Sequence, residues 1–239
     1  MKKLITVVAG IALAAGLGAG LAAHSTVAGN GTNRAASGHT VNGLDSLNWA
    51  GYVDTHANES VASANWTVPS VWGANGWSSS WVGLDGDGSP TVEQTGTDSG
   101  LVYGAPIYLA WVELYPAPPV VLPENVYPGD KMSGSVRPYE GFYRIYLADH
   151  TRGWHISQTV YVRGGRNASA EVITEAPSSA STGNILPLAD FGSVHFTDVD
   201  ISGHATRMNM VARNWRVKAS VTGSQQNFTV HFRFAGLAP

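Results

Sequence analysis

The sequence contains no cysteine among its 239 residues. That absence excludes a disulfide framework, a cysteine-ligated zinc site, an iron–sulfur cluster and a thiol nucleophile. The chain also lacks a Gly-x-Ser-x-Gly nucleophile elbow, a His-Glu-x-x-His zinc motif and a Walker loop. The hydrolase and nucleotide-binding mechanisms that depend on those motifs are therefore excluded as well.

Charged residues are scarce. They make up 13% of the chain, against about a quarter in a typical soluble protein. The formal net charge is −3 and there is no basic run, which argues against nucleic acid as a partner. The few charges, together with 8 Trp and 28 Gly, favour a secreted β-rich protein over a disordered chain.

Lysine and arginine are absent from one long stretch, between Arg34 and Lys131. The acids in it are Asp45, Asp54, Glu59, Asp85, Asp87, Glu93, Asp98, Glu113, Glu124 and Asp130. One interpretation is a solvated acidic face. The other is a site that keeps carboxylates together without cationic partners. Composition does not decide between them.

The N-terminus has the pattern of a secretory leader. A basic start, Met1 to Lys3, precedes an apolar run that ends in small residues at Ala22 and Ala23. We predict a signal peptide at 1–23, and hence an extracellular protein with no stable membrane association after cleavage. We also expect a monomer. The alternative is an uncleaved anchor, since about 20 apolar residues span a bilayer. Residues 24–46 are predicted to be a disordered linker or short propeptide, and 47–239 a single packed domain.

The rest of the chain shows the short, alternating patterns of β-strands separated by Gly and Pro turns. No long stretch has helical periodicity. We therefore predict an all-β fold, a sandwich or barrel. The predicted strands are Val61–Val68, Gly76–Leu84, Ile107–Tyr115, Lys131–Arg137, Phe142–Asp149, Ile156–Val162, Ala170–Thr174, Ser193–Val199, Trp215–Val221 and Phe228–Phe234.

No metal or other cofactor is expected from the motifs. The segment from Asp85 to Pro90 resembles a calcium loop, but Pro90 replaces the required Gly and no Glu follows at the twelfth position. A turn is the better interpretation. The 8 His include no His-x-His pair.

Polar residues interrupt the strand pattern between Trp81 and Asp98. Alternation places Trp81 and Asp85 on the strand face opposite Val82. A Gly-rich turn follows, and Gln94 is expected on the next strand. This combination of an aromatic ring, a carboxylate and an amide is typical either of a functional site or of an ordinary hairpin with a polar outer face.

Two further segments place acids beside aromatic or apolar residues. Trp111, Glu113 and Tyr115 share one strand face, and Glu171 and Glu175 share another. Those two glutamates are four positions apart, which at the rise of a strand is roughly 13 Å. Paired glycosidase carboxylates lie about 5–9.5 Å apart, so Glu171 and Glu175 do not form such a pair and a glycoside hydrolase is disfavoured.

Taken in order, these motifs resemble the glutamic peptidases of the eqolisin family, also labelled peptidase family G1 or A4, in their bacterial-type form. The resemblance spans most of the predicted domain. It rests on Trp81-Val82-Gly83-Leu84-Asp85-Gly86, Gln94-Thr95-Gly96, Trp111 with Glu113, Tyr115 and Pro116, Ala170-Glu171-Val172-Ile173, and Asp190-Phe191-Gly192-Ser193-Val194.

The resemblance implies a sandwich of two bent antiparallel sheets, similar to concanavalin and jelly-roll folds, with the substrate cleft on a concave face. It implies catalytic roles for Glu171 and Gln94. It matches Trp81 and Asp85 to supporting residues near the glutamine, and Glu113 and Tyr115 to residues that line the cleft. With Asp98, which lies within or beside these motifs, they are the predicted substrate-binding residues. The family usually has Trp after the catalytic Glu, where this chain has Val172. Alternation directs that side chain away from the cleft, so we expect a repacked core there.

The implied activity is a secreted acid endopeptidase that cleaves polypeptides. Glu171 would act as general base and acid, and the Gln94 amide would stabilise the oxyanion. The alternative is a non-catalytic, carbohydrate-binding β-sandwich with exposed aromatic rings. Because the stretch around Gln94 has no cations, we also expect its acids to titrate high as a group.

Overall fold

The computed structural model of the chain describes residues 22–23, 44–56, 58–179, 182–212, 214 and 216–235. The rest of the predicted signal peptide and linker lies outside these residues, as does Trp215 at the start of one predicted strand. The described residues contain no helix, and thus none long and apolar enough to cross a membrane.

The described part of the chain forms seventeen strands. They are β1 (Ala22–Ala23), β2 (Leu44–Ser46), β3 (Trp49–Asp54), β4 (Ala62–Thr67), β5 (Gly76–Leu84), β6 (Val92–Val102), β7 (Ala105–Tyr115), β8 (Val120–Val121), β9 (Lys131–Tyr139), β10 (Phe142–Asp149), β11 (Trp154–Val160), β12 (Ala170–Glu175), β13 (Ser178–Ser179), β14 (Ser193–Ile201), β15 (Thr206–Val211), β16 (Val217–Ser224) and β17 (Asn227–Phe232).

Fifteen of the strands form one large sheet, and β1 pairs with β13 in a separate two-stranded sheet. The order in the large sheet is β11-β10-β9-β4-β14-β17-β16-β15-β3-β12-β5-β6-β7-β8, with β2 beside β15. The pairing of β2 with β15 is parallel. The other pairings within this sheet are antiparallel.

The large sheet bends back on itself so that its two halves pack face to face. Trp66 Nε1 on β4 donates a 3.0 Å hydrogen bond to Thr97 Oγ1 on β6. On β9, Gly134 lies so close to β5 that a Cβ in its place would be 3.0 Å from Val82 Cγ2. These contacts join the two layers and confirm the predicted all-β sandwich of bent antiparallel sheets.

One large apolar cluster fills the space between the layers. Val82 and Leu84 of β5 and Val172 of β12 belong to it and are fully buried. They pack together with residues of the opposite layer such as Ile145 and Phe196. The alternation that predicted an inward direction for Val82 and Leu84 is confirmed, so the intervening residues of these strands lie on the other face of the layer.

Strand β6 was not in the predicted set, although Gln94 was expected on a strand. Its glycines lower its strand propensity, and each one lies opposite an indole of β5. Gly96 pairs with Trp81 and Gly100 with Trp77. A Cβ would lie 2.6 Å from Trp81 Cβ at the first position and 2.5 Å from Trp77 Cε3 at the second. The glycines are therefore the residues that let these large rings lie across the neighbouring strand.

Three residues just before the predicted domain boundary at residue 47 pair with the large sheet. Strand β2, Leu44 to Ser46, pairs with β15, and Asp45 within it is buried. These residues belong to the segment predicted to be a linker. Strand β3 was also not predicted, because all six of its residues are buried and it has no polar alternation to reveal it.

Candidate active site

The candidate site lies on the face of β3, β12, β5, β6 and β7 that points away from the core cluster, here called the site face. Its first row runs straight across the five strands. The residues opposite one another in this row are Val53, Glu171, Gly83, Gln94 and Glu113. Residues directly opposite each other in a sheet point to the same side. The register thus places the two predicted catalytic residues on one face.

Gly83 separates the two predicted catalytic residues. Glu171 and Gln94 lie on the strands either side of it, so their Cα atoms are roughly 10 Å apart. A Cβ at Gly83 would lie 3.0 Å from Gln94 Cβ and 3.0 Å from Trp81 Cζ3. The absence of a side chain at this position, here called the gap at Gly83, lets the Gln94 side chain and the Trp81 ring lie against the strand between the carboxyl and the amide.

Glu171 is completely buried, and neither of its carboxyl oxygens has a hydrogen-bond partner among the described residues. The turn after β5 closes over it, because a Cβ at Gly86 would be 3.1 Å from Glu171 Cδ and 2.8 Å from Trp49 Cη2. Burial raises the pKa of Glu171 well above its ordinary value, the Ser169 side chain lowers it by a smaller amount, and the nearby acids Asp85 and Asp87 raise it further. A proton is held there at pH values at which an exposed glutamate has lost its own.

The Gln94 amide is oriented by a neighbouring acid. Its Nε2 donates a 2.6 Å hydrogen bond to Glu113 Oε2 on β7. Its Oε1 has no hydrogen-bond partner among the described residues and is buried. One end of the amide is thereby fixed, while the other end and the second N–H are left for a ligand.

Indole rings form the floor of the site face beside Glu171 and Gln94, here called the dyad. Trp81, Trp111 and Ile173 lie in the second row of the sheet. They belong to a small apolar cluster with Trp49 and two other residues, separate from the main core. The Trp49 and Trp81 rings meet edge to face with centroids 5.2 Å apart. The cluster is rigid and water-excluding, which strengthens electrostatic interactions at the adjacent carboxyl and amide.

Acids of the third row bind the indole N–H groups. Trp81 Nε1 donates to Glu175 Oε2 at 2.9 Å, and Trp111 Nε1 donates to Asp98 Oδ1 at 2.9 Å. Ser79 Oγ also donates to Asp98 Oδ1, at 2.8 Å. Asp98, predicted to lie in or beside the cleft, is thus on the site face. Sequence reasoning dismissed Glu175 as a catalytic partner and missed that it holds Trp81.

Asp85 does not share the site face with Trp81, which corrects the prediction from alternation. Strand β5 ends at Leu84, and Asp85 has a left-handed φ of 71°. Its carboxylate accepts hydrogen bonds from Tyr143 Oη at 2.9 Å, Arg166 N at 2.8 Å and Ala168 N at 2.7 Å. The residue therefore anchors the turn beside Glu171 to the loop before β12.

Glu93 is a buried acid that sequence reasoning did not single out. It lies opposite Leu84 of β5 and Leu114 of β7, next to Gln94 but on the other face of the strand. Burial raises its pKa to about 9, with a further contribution from the charge and hydrogen bonding of Asp85. An acid at a core-facing strand position was the available signal, and its partner could not be known without the tertiary structure.

The stretch without Lys or Arg is not a solvated face. Of its ten acids, eight are buried, and these are Asp45, Asp54, Glu59, Asp85, Glu93, Asp98, Glu113 and Asp130. Burial raises the pKa of Asp45, Glu59 and Glu93. That all the acids of the stretch titrate high as a group remains a prediction.

Two further residues considered in the sequence, Tyr115 and Val172, also have defined places in the fold. Tyr115 ends β7, opposite Val92 and two residues beyond Glu113, and is half-buried at the margin of the site face. Val172 lies in the core cluster, directed away from the face that bears Glu171. The expected direction of this side chain is confirmed.

Among the described residues, one group of three side chains could ligate a metal ion, and it comprises Asp54, His56 and Glu59. Neither Glu171 nor Gln94 belongs to it. What the dyad itself offers is a carboxyl group that can exchange a proton and a carboxamide that can donate a hydrogen bond, on either side of the gap at Gly83.

Solved structures with a similar fold are peptidases. Scytalido-glutamic peptidase, in complex with a transition state analog inhibitor, matches with a TM-score of 0.70 and 25% identity over 78% of this chain and 98% of that one. Aspergilloglutamic peptidase from Aspergillus niger matches with a TM-score of 0.58 and 27% identity over 66% and 99%. SCP-B, an eqolisin bound to the tripeptide Ala-Ile-His, shares the fold with a TM-score of 0.65 and 23% identity over 78% and 98%.

The fold and these similarities define the class as glutamic peptidases, hydrolases that act on peptide bonds. The sequence profile of the Peptidase A4 family matches residues 47–232, which are most of the chain. The chain therefore belongs to the peptidase A4 family. No curated protein sequence matches it.

Proposed function

We propose that this glutamic peptidase is a secreted acid endopeptidase that uses Glu171 and Gln94 as its catalytic dyad. The observation that carries the proposal is the first row of the site face, in which these two side chains flank Gly83. The polypeptide substrate lies across this row with its scissile carbonyl over the glycine. Neither a cofactor nor nucleic acid takes part.

In the first step, ionised Glu171 accepts a proton from a water molecule held between its carboxylate and the Gln94 amide. The resulting hydroxide attacks the scissile carbonyl carbon, and the carbonyl π electrons move to the oxygen. The Gln94 Nε2–H donates a hydrogen bond to this oxyanion. A single donor of this kind is worth about 3–4 kcal/mol of transition-state stabilisation.

In the second step, the tetrahedral intermediate collapses and the C–N bond breaks. Protonated Glu171 delivers its proton to the leaving amine nitrogen and returns to the carboxylate form. A carboxamide partner suits this cycle because its N–H donors do not titrate. A second ionised carboxylate in the same position would repel Glu171 and the oxyanion.

Glu113 holds the amide, and Trp81 and Trp111 exclude water from the floor beneath the dyad. We assign Asp98 and Tyr115 to the lining of the substrate cleft. Asp85 acts indirectly, since its hydrogen bonds fix the turn that closes over Glu171.

The raised pKa of Glu171 bears on the working pH. The carboxylate form is required for attack, so activity falls as pH decreases through this pKa. The acid limb of the pH profile is accordingly expected above the ordinary glutamate pKa of about 4.3. Secretion after cleavage of residues 1–23, a monomeric state and bacterial-type family membership are part of the same proposal and rest on the sequence.

The test is digestion of an unfolded protein between about pH 2 and 7, with metal chelators and with serine and thiol protease inhibitors present. Proteolysis that survives all of these inhibitors and peaks in acid supports the proposal. Complete inhibition by any one class overturns it.

The carbohydrate-binding alternative requires aromatic rings open to a sugar. Trp81 and Trp111 are 0% and 1% exposed, so neither of these two rings offers a stacking surface, whereas Trp72 and Tyr103, outside the first two rows of the site face, are exposed. Glycan binding without cleavage of denatured protein at any pH would nevertheless favour that class over a peptidase.

A further inference from the structure

A second cluster of ionisable side chains lies at the end of β3. Asp54 is the last residue of this strand, and His56 and Glu59 follow in the connection to β4. One potential ligand atom from each lies within 4.8 Å of the others. Asp54 pairs with Ala170, one step beyond the pair formed by Val53 and Glu171. By alternation, its side chain points to the face opposite the dyad.

The two carboxylates of this cluster are buried, and the basic group that contacts them is the imidazole of His56. Asp54 is 0% and Glu59 3% exposed. Asp54 Oδ1 contacts His56 Nδ1, whose side chain is 76% exposed, whereas Asp54 Oδ2 has no hydrogen-bond partner among the described residues. Two buried acids this close repel each other unless a cation or a proton lies between them.

Further hydrogen bonds fix both carboxylates. Ser202 Oγ donates a 2.7 Å hydrogen bond to Glu59 Oε2, and His56 N donates a 3.0 Å hydrogen bond to Asp54 Oδ1. Gly203 lies beside the unpartnered oxygen, with φ of 101°, and a Cβ there would be 2.4 Å from Asp54 Oδ2. Contacts of this kind orient ligands before an ion arrives, and a side chain at position 203 would collide with Oδ2.

We propose that Asp54, His56 and Glu59 bind a divalent transition-metal ion of the zinc class. One imidazole nitrogen with two carboxylate oxygens is a mixed donor set that suits zinc and its neighbours. Calcium and magnesium prefer sites made of oxygen alone. A small rotation of the exposed His56 side chain brings its ring nitrogen to bonding distance. The ion links the connection between β3 and β4 to the end of β3, and takes no part in peptide hydrolysis.

The experiment is metal reconstitution of the full chain. Protein is treated with a chelator, dialysed at pH 7 and titrated with zinc chloride, and bound zinc and the Tm are then measured. We expect one equivalent of zinc per chain and a Tm increase of about 5 °C at saturation. Calcium chloride at the same concentration should neither bind stoichiometrically nor raise the Tm. Absence of stoichiometric zinc overturns the proposal.

The His56→Gln variant tests the ligand set, and His195→Gln, at another exposed histidine, is its matched control. His56→Gln should lower zinc affinity at least tenfold and abolish the Tm response, while His195→Gln should bind as the wild type does. Equal zinc binding by His56→Gln overturns the assignment. Bound zinc is measured without substrate, so this result is independent of whether the dyad cleaves peptides.

Discussion

Gln94 Nε2 donates a 2.6 Å hydrogen bond to Glu113 Oε2, across neighbouring strands and in the same row as Glu171. This contact determines where the amide N–H groups point. An oxyanion donor stabilises the transition state only when it is aimed at the position that the oxygen will occupy. Glu113 is therefore a positioning residue for Gln94.

Replacement of Glu113 by Ala should lower kcat by about 10- to 100-fold, because small misplacement of a catalytic group has effects of this size. KM should change much less, since the substrate contacts of the cleft remain. Steady-state kinetics on one peptide measures both. Glu113→Gln, which retains an acceptor oxygen, should recover part of kcat. An unchanged kcat in Glu113→Ala would contradict the positioning role.

The gap at Gly83 should be required for activity more than for folding. A Cβ there meets two side chains at 3.0 Å, namely Gln94 and Trp81. We expect Gly83→Ala to fold, with a lower Tm, and to lose at least about 100-fold in kcat/KM as the amide is displaced.

Gly96→Ala provides the contrast in the next row. Its Cβ would lie 2.4 Å from the backbone oxygen of Ser80, which cannot move as a side chain can. This variant should fail to fold or should unfold at a much lower temperature. Thermal denaturation of both variants checks the pair, and a fully active Gly83→Ala would refute the importance of the gap.

The pH profile should show the raised pKa of Glu171 directly. Burial stabilises the protonated form, and only the carboxylate can activate water, so the acid limb of kcat/KM should lie above about pH 4.3. The measurement is kcat/KM for a peptide without titratable side chains. An acid limb at or below pH 4.3 would show that the free enzyme does not hold Glu171 in a desolvated state.

Glu93 should make the protein less stable as the pH increases. Its pKa is about 9 in the folded protein and has its ordinary value in the unfolded chain. Between those two values the folded state binds the extra proton, so stability decreases with rising pH, by at most about 1.4 kcal/mol per unit from this group.

Glu93→Gln keeps a donor for Asp85 and has no charge to lose. It should match the wild type in free energy of unfolding near pH 4 and exceed it at pH 8, as measured by chemical denaturation. Glu140→Gln, at an exposed turn, is the control and should show no such gain. The idea fails if Glu93→Gln is no more stable than the wild type at pH 8.

Much of the fold could be predicted because alternation is visible wherever one face of a strand is polar. Strand β14, Ser193–Ile201, alternates exposed and buried residues over much of its length and was found. Strand β3 is buried throughout, and β6 contains the glycines that its Trp neighbours require, so both lack that signal.

The motifs single out Glu171 and Gln94 as candidates, but the row that aligns them with Gly83 depends on register between strands far apart in sequence. The direction of the Asp85 side chain was mispredicted because a left-handed residue ends the alternation there. The burial of Glu93 against Asp85 arises from packing of the turn and the sheet, which no local pattern encodes.

The most direct test of the account compares Glu171→Gln and Gln94→Ala with the exposed control Glu140→Gln in digestion of an unfolded protein at the optimum pH. General-base catalysis and an oxyanion donor each contribute about 100-fold or more. Both dyad variants should therefore lose at least that factor in kcat/KM while keeping the wild-type circular dichroism spectrum, and the control should lose nothing. Full proteolytic activity in both dyad variants would contradict the central claim.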